Sequence, residues 1–374
     1  MKKDIWTKDY IYAILVLLCV HAGPYLLLPV ITIYGKQLSK SDTLAGMMAS
    51  IFAFSGLFAR FLSAFLLESY PVRKVLKGFT ILMALASFAY IFSSTYLQAF
   101  LLRGIQGLAY GVTCTAMSTY IVKILDHEHR LEGIGYSSLT ANIANAVCPT
   151  ISYALLGNNV DQFQRLFIAV FLSVAISFIL LFHIKNLPTQ PQTKQKKEGQ
   201  IKDIFLPFLM WASMSFAMSS VSAFLSLSAL DKGFTNIGLY FTLNVIGLFL
   251  SRFIMKRLTI ALGEKTMIIA SIALISLCLA GIALSSSAWH LYLIAIPFGF
   301  ANGCLAPLIN TAMLNRLPET KSGFANAAFF AAGDAGFIIG PTLWGLIASL
   351  TSYKGVFLMA AIISLLAIGI YLID

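Results

Sequence analysis

Asp334, Arg103 and His21 are ionisable side chains that stand away from the ends of the long apolar runs of this 374-residue sequence. They are the groups with which it can move a proton or hold a charged molecule, because ions at such depth are costly and mark ion or substrate pathways. Among the 15 acidic residues, only Asp334 falls deep within an apolar run. Counted from Ser322 it lies about 18 Å along a helix, close to the middle of a bilayer. Two roles suit such a carboxylate. It can bind and release a proton or a cationic group, or it can serve as a structural acceptor between helices. His21 sits mid-run before Gly23 and Pro24, and histidine titrates in the physiological range. A core histidine bonded to a neighbouring helix is the alternative.

Arg103 opens the stretch Arg103-x-x-Gln106-Gly107-x-x-Tyr110-Gly111. It can pair with an anionic molecule, with Asp334 or with helix carbonyls. Gln106 and Tyr110 follow at spacings of three and seven and share its helix face, whereas Gly107 and Gly111 suit close helix packing. Asn142, Asn145, Asn302 and Tyr25 are further polar or aromatic residues within apolar runs, and with Gln106 and Tyr110 they are candidates to line a cavity.

The elements that hold these residues follow from composition. The chain is 59% hydrophobic and 11% charged, with a mean hydropathy of +0.84, against roughly 25% charged residues in soluble domains. Runs of about 20 apolar residues recur along its length, each enough to cross a hydrocarbon core, and backbone satisfaction in lipid makes them helices. Twelve spans are expected, at 10–34, 43–67, 75–94, 96–124, 133–156, 164–186, 204–230, 236–257, 265–286, 289–315, 322–348 and 353–373. The apolar run after the basic amino terminus is too long for a cleaved signal and is kept as the first span.

Residues 187–203, rich in Pro, Gln and Lys, read as a solvated linker between a bundle at 1–186 and a bundle at 204–374. Basic residues divide 18 to 5 between the two faces, the larger number on the face of the amino terminus, with Arg60, Arg103 and Arg252 inside spans. Both termini are therefore expected in the cytoplasm. The net charge of +11 is spread over short loops, which suits topology rather than nucleic acid. The five cysteines have no metal-ligand spacing and suit packing. His127-Glu128-His129 lacks the i, i+4 spacing of a helical zinc site and reads as a solvated loop. No metal site, cofactor or nucleotide-binding loop is expected.

An internal repeat ties the two bundles together. Gly107 and Gly111 recur as Gly299 and Gly303, Arg60 as Arg252, and Pro149 as Pro341, each 192 residues on (299 minus 107, 252 minus 60, 341 minus 149). At the same offset Asp334 corresponds to Asn142. Repeated halves of this kind are the signature of secondary transporters, whose site lies between them near the bilayer midplane.

On these residues the chain resembles the major facilitator superfamily. The Arg103-x-x-Gln106-Gly107-x-x-x-Gly111 pattern is similar to that family's motif in the fourth helix. The loop from Ala64 to Leu76 is similar to its cytoplasmic-loop motif, with Ala64 and Pro71 where glycines are usual and Glu68 in the acidic position. Ala144-x-x-x-Cys148-Pro149-x-x-Ser152-Tyr153 stands where antiporters of the family carry glycines. The fuller version is Gly336-x-x-x-Gly340-Pro341-x-x-Trp344-Gly345 in the eleventh span.

The resemblance implies an all-α polytopic protein of two pseudo-symmetric six-helix halves that exports a drug or metabolite in exchange for protons. Asp334, Arg103 and His21 are then the proton-coupling groups. Arg60, Glu68, Arg73, Lys74 and Arg252 form a charge cluster that gates the cytoplasmic side, and Gly107, Gly111, Pro149, Gly336, Gly340 and Pro341 pack helices. The expected partners are a small-molecule substrate, protons and the lipid bilayer of the cell membrane, with the chain acting as a monomer and no enzyme. A proton-coupled importer, an exporter of a metal-chelating metabolite, and a non-transporting sensor or lipid-handling protein are the alternatives.

Overall fold

The computed structural model describes residues 5–126, 129–157, 162–187, 204–317 and 322–373. Most of the expected linker, with His127 and Glu128, lies outside them. The described chain is helical throughout. In order it forms α1 (Lys8–Leu27), α2 (Ile31–Ser39), α3 (Asp42–Ser69), α4 (Val72–Ala89) with a 3-10 turn at Tyr90–Phe92, α5 (Tyr96–Ile124), α6 (Arg130–Leu156) and α7 (Phe163–Leu180). There follow α8 (Phe205–Asp231), α9 (Gly238–Leu262), α10 (Glu264–Leu284), α11 (Ala288–Asn315), α12 (Ser322–Leu350) and α13 (Tyr353–Ile373). Ten of these are long and apolar enough to cross a membrane, and α5 and α9, at 29 and 25 residues, match them in length. With α1 and α2 making one span, the helices of the described residues make up the twelve spans expected from hydropathy.

The first span departs from expectation. Pro24 is carried within α1, and the helix breaks after Leu27, at Leu28–Val30. Pro29 has no N–H to donate and its ring crowds the preceding turn. Val30 N–H instead takes the Leu27 carbonyl at 3.0 Å, and α2 restarts from Ile31. Elsewhere local signals set the ends. Thr95 and Gln98 form a reciprocal capping box at the start of α5, satisfying two donors there. Gly263, at a φ of 84°, turns the chain between α9 and α10, a conformation that suits glycine.

The chain divides into two units, Met1–Leu38 with Ile51–Lys194, and Ser39–Ser50 with Gln195–Asp374. Within the first, α1 packs on α6 and α7, and α4 on α5 and α7; within the second, α8 packs on α12 and α13, and α10 on α11 and α13. The 192-residue sequence repeat is thus a repeat of helix pairings. Tyr10, Val16, Met83, Met117, Tyr120 and Val174 belong to one buried apolar cluster of the first unit. Outward faces are apolar as well: Phe54, Phe58, Phe61 and Phe65 form an exposed stripe along α3, the surface expected of a helix in lipid.

The expected division at 187–203 places all of 1–186 together, whereas in the structure the start of α3 groups with the second unit. Glycine and short polar contacts account for it. A Cβ on Gly46 would overlap the Pro341 carbonyl, and one on Gly345 the backbone of Asp42. Ser50 Oγ accepts from Thr342 N–H at 3.2 Å and from its hydroxyl at 2.8 Å, and Tyr353 donates to the Asp42 carboxylate at 2.5 Å. In the same unit Lys232 Nζ closes the end of α10 by donating to the Ser285 carbonyl at 2.9 Å and that of Ile282 at 3.3 Å. Burial first, then Lys354, push this lysine below its usual range, with Asp231 opposing.

Candidate functional site

In the first unit the polar residues of α1 and α5 meet through aromatic side chains. Arg103 is fully buried. Its Nη1 donates to Gln106 Oε1 at 2.6 Å, Gln106 Nε2 donates to Ser87 Oγ at 3.2 Å, and Ser87 donates to the Met83 carbonyl at 2.8 Å. The three-residue spacing of Arg103 and Gln106 on one helix makes the first of these bonds local. The Phe52 ring lies across the guanidinium, its centroid 4.2 Å from Cζ, in cation–π range.

Phe52 also touches Tyr110, with ring centroids 5.4 Å apart. The Tyr110 hydroxyl hydrogen-bonds His21 Nδ1 at 2.9 Å, and Tyr25 approaches the imidazole edge-on at 6.2 Å. The sequence-nominated Arg103, Gln106, Tyr110, His21 and Tyr25 therefore gather into one neighbourhood. It is completed by Phe52 and Ser87, which sequence reasoning missed. Phe52 had one available signal, its correspondence to the amide Asn244 at the repeat offset of 192.

Glycines bring these helices together. A Cβ on Gly107 would overlap Ser55 and the Phe52 carbonyl, and one on Gly111 would come within 2.7 Å of Ala59 Cβ. The second unit repeats the contact: a Cβ on Gly299 would overlap the Asn244 carbonyl, and one on Gly303 the Ser251 hydroxyl. Close backbone approach is what small residues allow between membrane helices.

Asp334 lies thirteenth in the 29-residue α12 and is half-buried. Its helix is pressed onto α8, where Cβ atoms on Gly336 and Gly340 would overlap Phe216 N and Ser219 Oγ. Trp344 Nε1 donates to the Phe216 carbonyl at 2.8 Å and to Ser219 Oγ at 3.2 Å. In α6 the corresponding Ser152 donates to the Leu26 carbonyl of α1 at 2.5 Å. Trp344→Phe should lower stability by about 1–3 kcal/mol, from a lost hydrogen bond in a fully packed place. Thermal unfolding in micelles measures it, and an unchanged midpoint would show that the indole N–H contributes nothing.

The remaining candidates are dispersed. Asn142 and Asn145 in α6 and Asn302 in α11 are half-buried, and Asn244 donates to the Ala295 carbonyl at 3.4 Å. Pro149 and Pro341 are buried within α6 and α12. Of the proposed gate residues, Arg60, Glu68, Lys74 and Arg252 are exposed. Arg73 donates to the Phe182 carbonyl at 2.8 Å, so its described hydrogen bond runs to the end of α7 rather than to Glu68. Lys185 and Asp9 pair at 3.0 Å beside it.

Comparison with known proteins places these features in a family. A model of the Major Facilitator Superfamily matches residues 13–236 and 208–374. A staphylopine export protein of Staphylococcus aureus is 23% identical over 352 residues, 89% of this chain and 87% of that protein. A multi-drug resistance efflux pump PmrA homolog of Lactococcus lactis is 31% identical over 170 residues, 43% of this chain and 42% of that one. Among solved structures, the nucleoside transporter NupG superposes with a TM-score of 0.77 at 15% identity, covering 98% of this chain and 99% of that one.

Proposed function

The chain belongs to the Major Facilitator Superfamily, and from that premise we propose that this multi-pass transporter exports a small organic molecule across the cell membrane in exchange for protons. It works by alternating access of its two halves. The observation that carries the reading is an ionisable group held within a long apolar helix in each unit, Arg103 and His21 in the first and Asp334 in the second. Such groups are retained at depth where they are used. Asp334 takes up and releases the coupling proton, and Arg103 and His21 adjust the first unit to its state. Asn142, Asn145, Asn302, Gln106, Tyr110 and Tyr25 line the path of the molecule. Proton entry supplies about 2.3 kcal/mol per 100 mV.

Export, rather than import, is supported by the names of both relatives. The 18 to 5 distribution of basic residues puts both termini in the cytoplasm, where Arg60, Glu68, Arg73, Lys74 and Arg252 act on the gate. The chain functions as a monomer without a cofactor. Of the two substrate classes those names suggest, a defined metabolite is favoured over a broad set of drugs, because the staphylopine exporter aligns along nearly the whole chain and the multi-drug pump along less than half.

Inverted and right-side-out vesicles carrying the protein, with an imposed pH gradient and a panel of labelled compounds, test the proposal. Gradient-driven accumulation inside inverted vesicles is expected, abolished by a protonophore. Accumulation in right-side-out vesicles under an inward proton gradient would establish the importer instead. Flux in neither, for any compound, would favour a sensor or lipid-handling role.

A further inference from the structure

Arg103 is among the largest side chains wholly buried in the protein, and its charge is only partly answered. Of its donors, Nη1 is engaged by Gln106 and one face of the plane is covered by Phe52. Nε and Nη2 have no hydrogen-bond partner among the described residues. The titratable group facing the guanidinium is Tyr90, which is committed elsewhere, its hydroxyl donating to the Ala99 carbonyl at 3.2 Å. A buried cation without an opposing charge costs several kcal/mol, and arginines are rarely fully buried unless paired.

The two unengaged nitrogens are a matched pair. The Nε–H and the adjacent Nη2–H point in parallel along one edge of the guanidinium, the edge that receives a carboxylate through two hydrogen bonds. The bond from Nη1 through Gln106 to Ser87 fixes the rotation of the plane, so the edge is held ready. We propose that this edge of Arg103 binds the carboxylate of the transported molecule, making the substrate an organic acid or zwitterion. This inference rests on the transport function proposed above.

A planar group with two oxygens fits two coplanar donors, and its single charge balances one guanidinium. A phosphate dianion would leave a charge unbalanced among Phe52, Tyr90 and the apolar faces of α4 and α5. The ring of Phe52, which also meets Tyr110, covers the guanidinium, and its withdrawal admits the ligand. Phe52 stands two residues beyond Ser50, where α3 passes from the second unit to the first.

The test uses the purified full-length chain in micelles and the thermal unfolding midpoint at constant ionic strength. The probes are benzoate, its neutral isostere benzamide, and chloride. Benzoate is expected to raise the midpoint saturably, by about 2 °C at ten times its dissociation constant, with benzamide and chloride without effect. Arg103→Lys, which keeps the charge but lacks the paired donors, should lose the rise. An equal rise with chloride would mean a halide site, and one with benzamide would mean binding through the ring; either overturns the proposal in the wild type alone, whatever the variant's folding. A benzoate rise that persists in folded Arg103→Lys overturns it too. If that variant retains the rise yet loses export, the transport reading stands and this one falls. If the rise is lost while the wild type moves no compound, the binding site stands and the transport reading falls.

Discussion

Asp334→Asn is expected to abolish pH-gradient-driven export, reducing it to the passive leak, while substrate exchange without net proton movement persists. Asp334 lies near the centre of α12, on a helix fixed to α8 by the tight seats of Gly336 and Gly340 and by the indole of Trp344. Ionisable groups at such depth mark proton and substrate pathways, and alternating access changes what surrounds them. Asparagine preserves size and polarity but cannot exchange a proton, and the corresponding residue of the other half is already an amide, Asn142. Driven efflux and counterflow are measured on the same vesicles at matched protein content. Undiminished driven flux in Asp334→Asn would remove Asp334 from the coupling mechanism. Equal loss of counterflow would give it a role in binding rather than in proton transfer.

Gly299→Leu is expected to remove most of the folded protein, whereas Gly78→Leu leaves its amount unchanged. At Gly299 the first added carbon already overlaps the backbone of Asn244, while at Gly78 it meets nothing within 4 Å. A backbone obstacle cannot rotate aside, so α9 and α11 must separate. Loosened packing along that seam, where Gly303 seats against Ser251, adds to an overpacking cost that by itself is about 1–3 kcal/mol. Size-exclusion yield and unfolding midpoints of the two variants, expressed alike, measure the difference. Comparable yields would show that the seam is more compliant than its geometry implies. Gly107→Leu, seated against Ser55 and the Phe52 carbonyl, should behave like Gly299→Leu and disturb Arg103 as well.

Much of this architecture was legible in the residues alone. Apolar runs gave the number of spans because lipid penalises every unpaired backbone group and every exposed charge. Span ends at Tyr96, Ile124 and Tyr353 agree with α5 and α13, since polar caps and short turns must fall at the interfaces. The 192-residue offset revealed a duplicated half, and the glycines within it pointed to contacts that recur in both units. Even the local pairing of Arg103 with Gln106 was implied by a spacing of three on a helix.

Tertiary structure alone decided the rest, because hydropathy reports which solvent a residue prefers and is silent on which way a buried face turns. It broke the first span at Leu28–Val30, around Pro29, and carried Pro24 within α1. It assigned Ser39–Ser50 to the second unit, through contacts with residues some 300 positions away such as Thr342 and Tyr353. It laid Phe52 over Arg103 and turned the Nε and Nη2 edge of that arginine away from every described acceptor. The sequence could supply the buried charge; only the packing of α3, α4 and α5 around it determined which of its donors remain to meet a ligand.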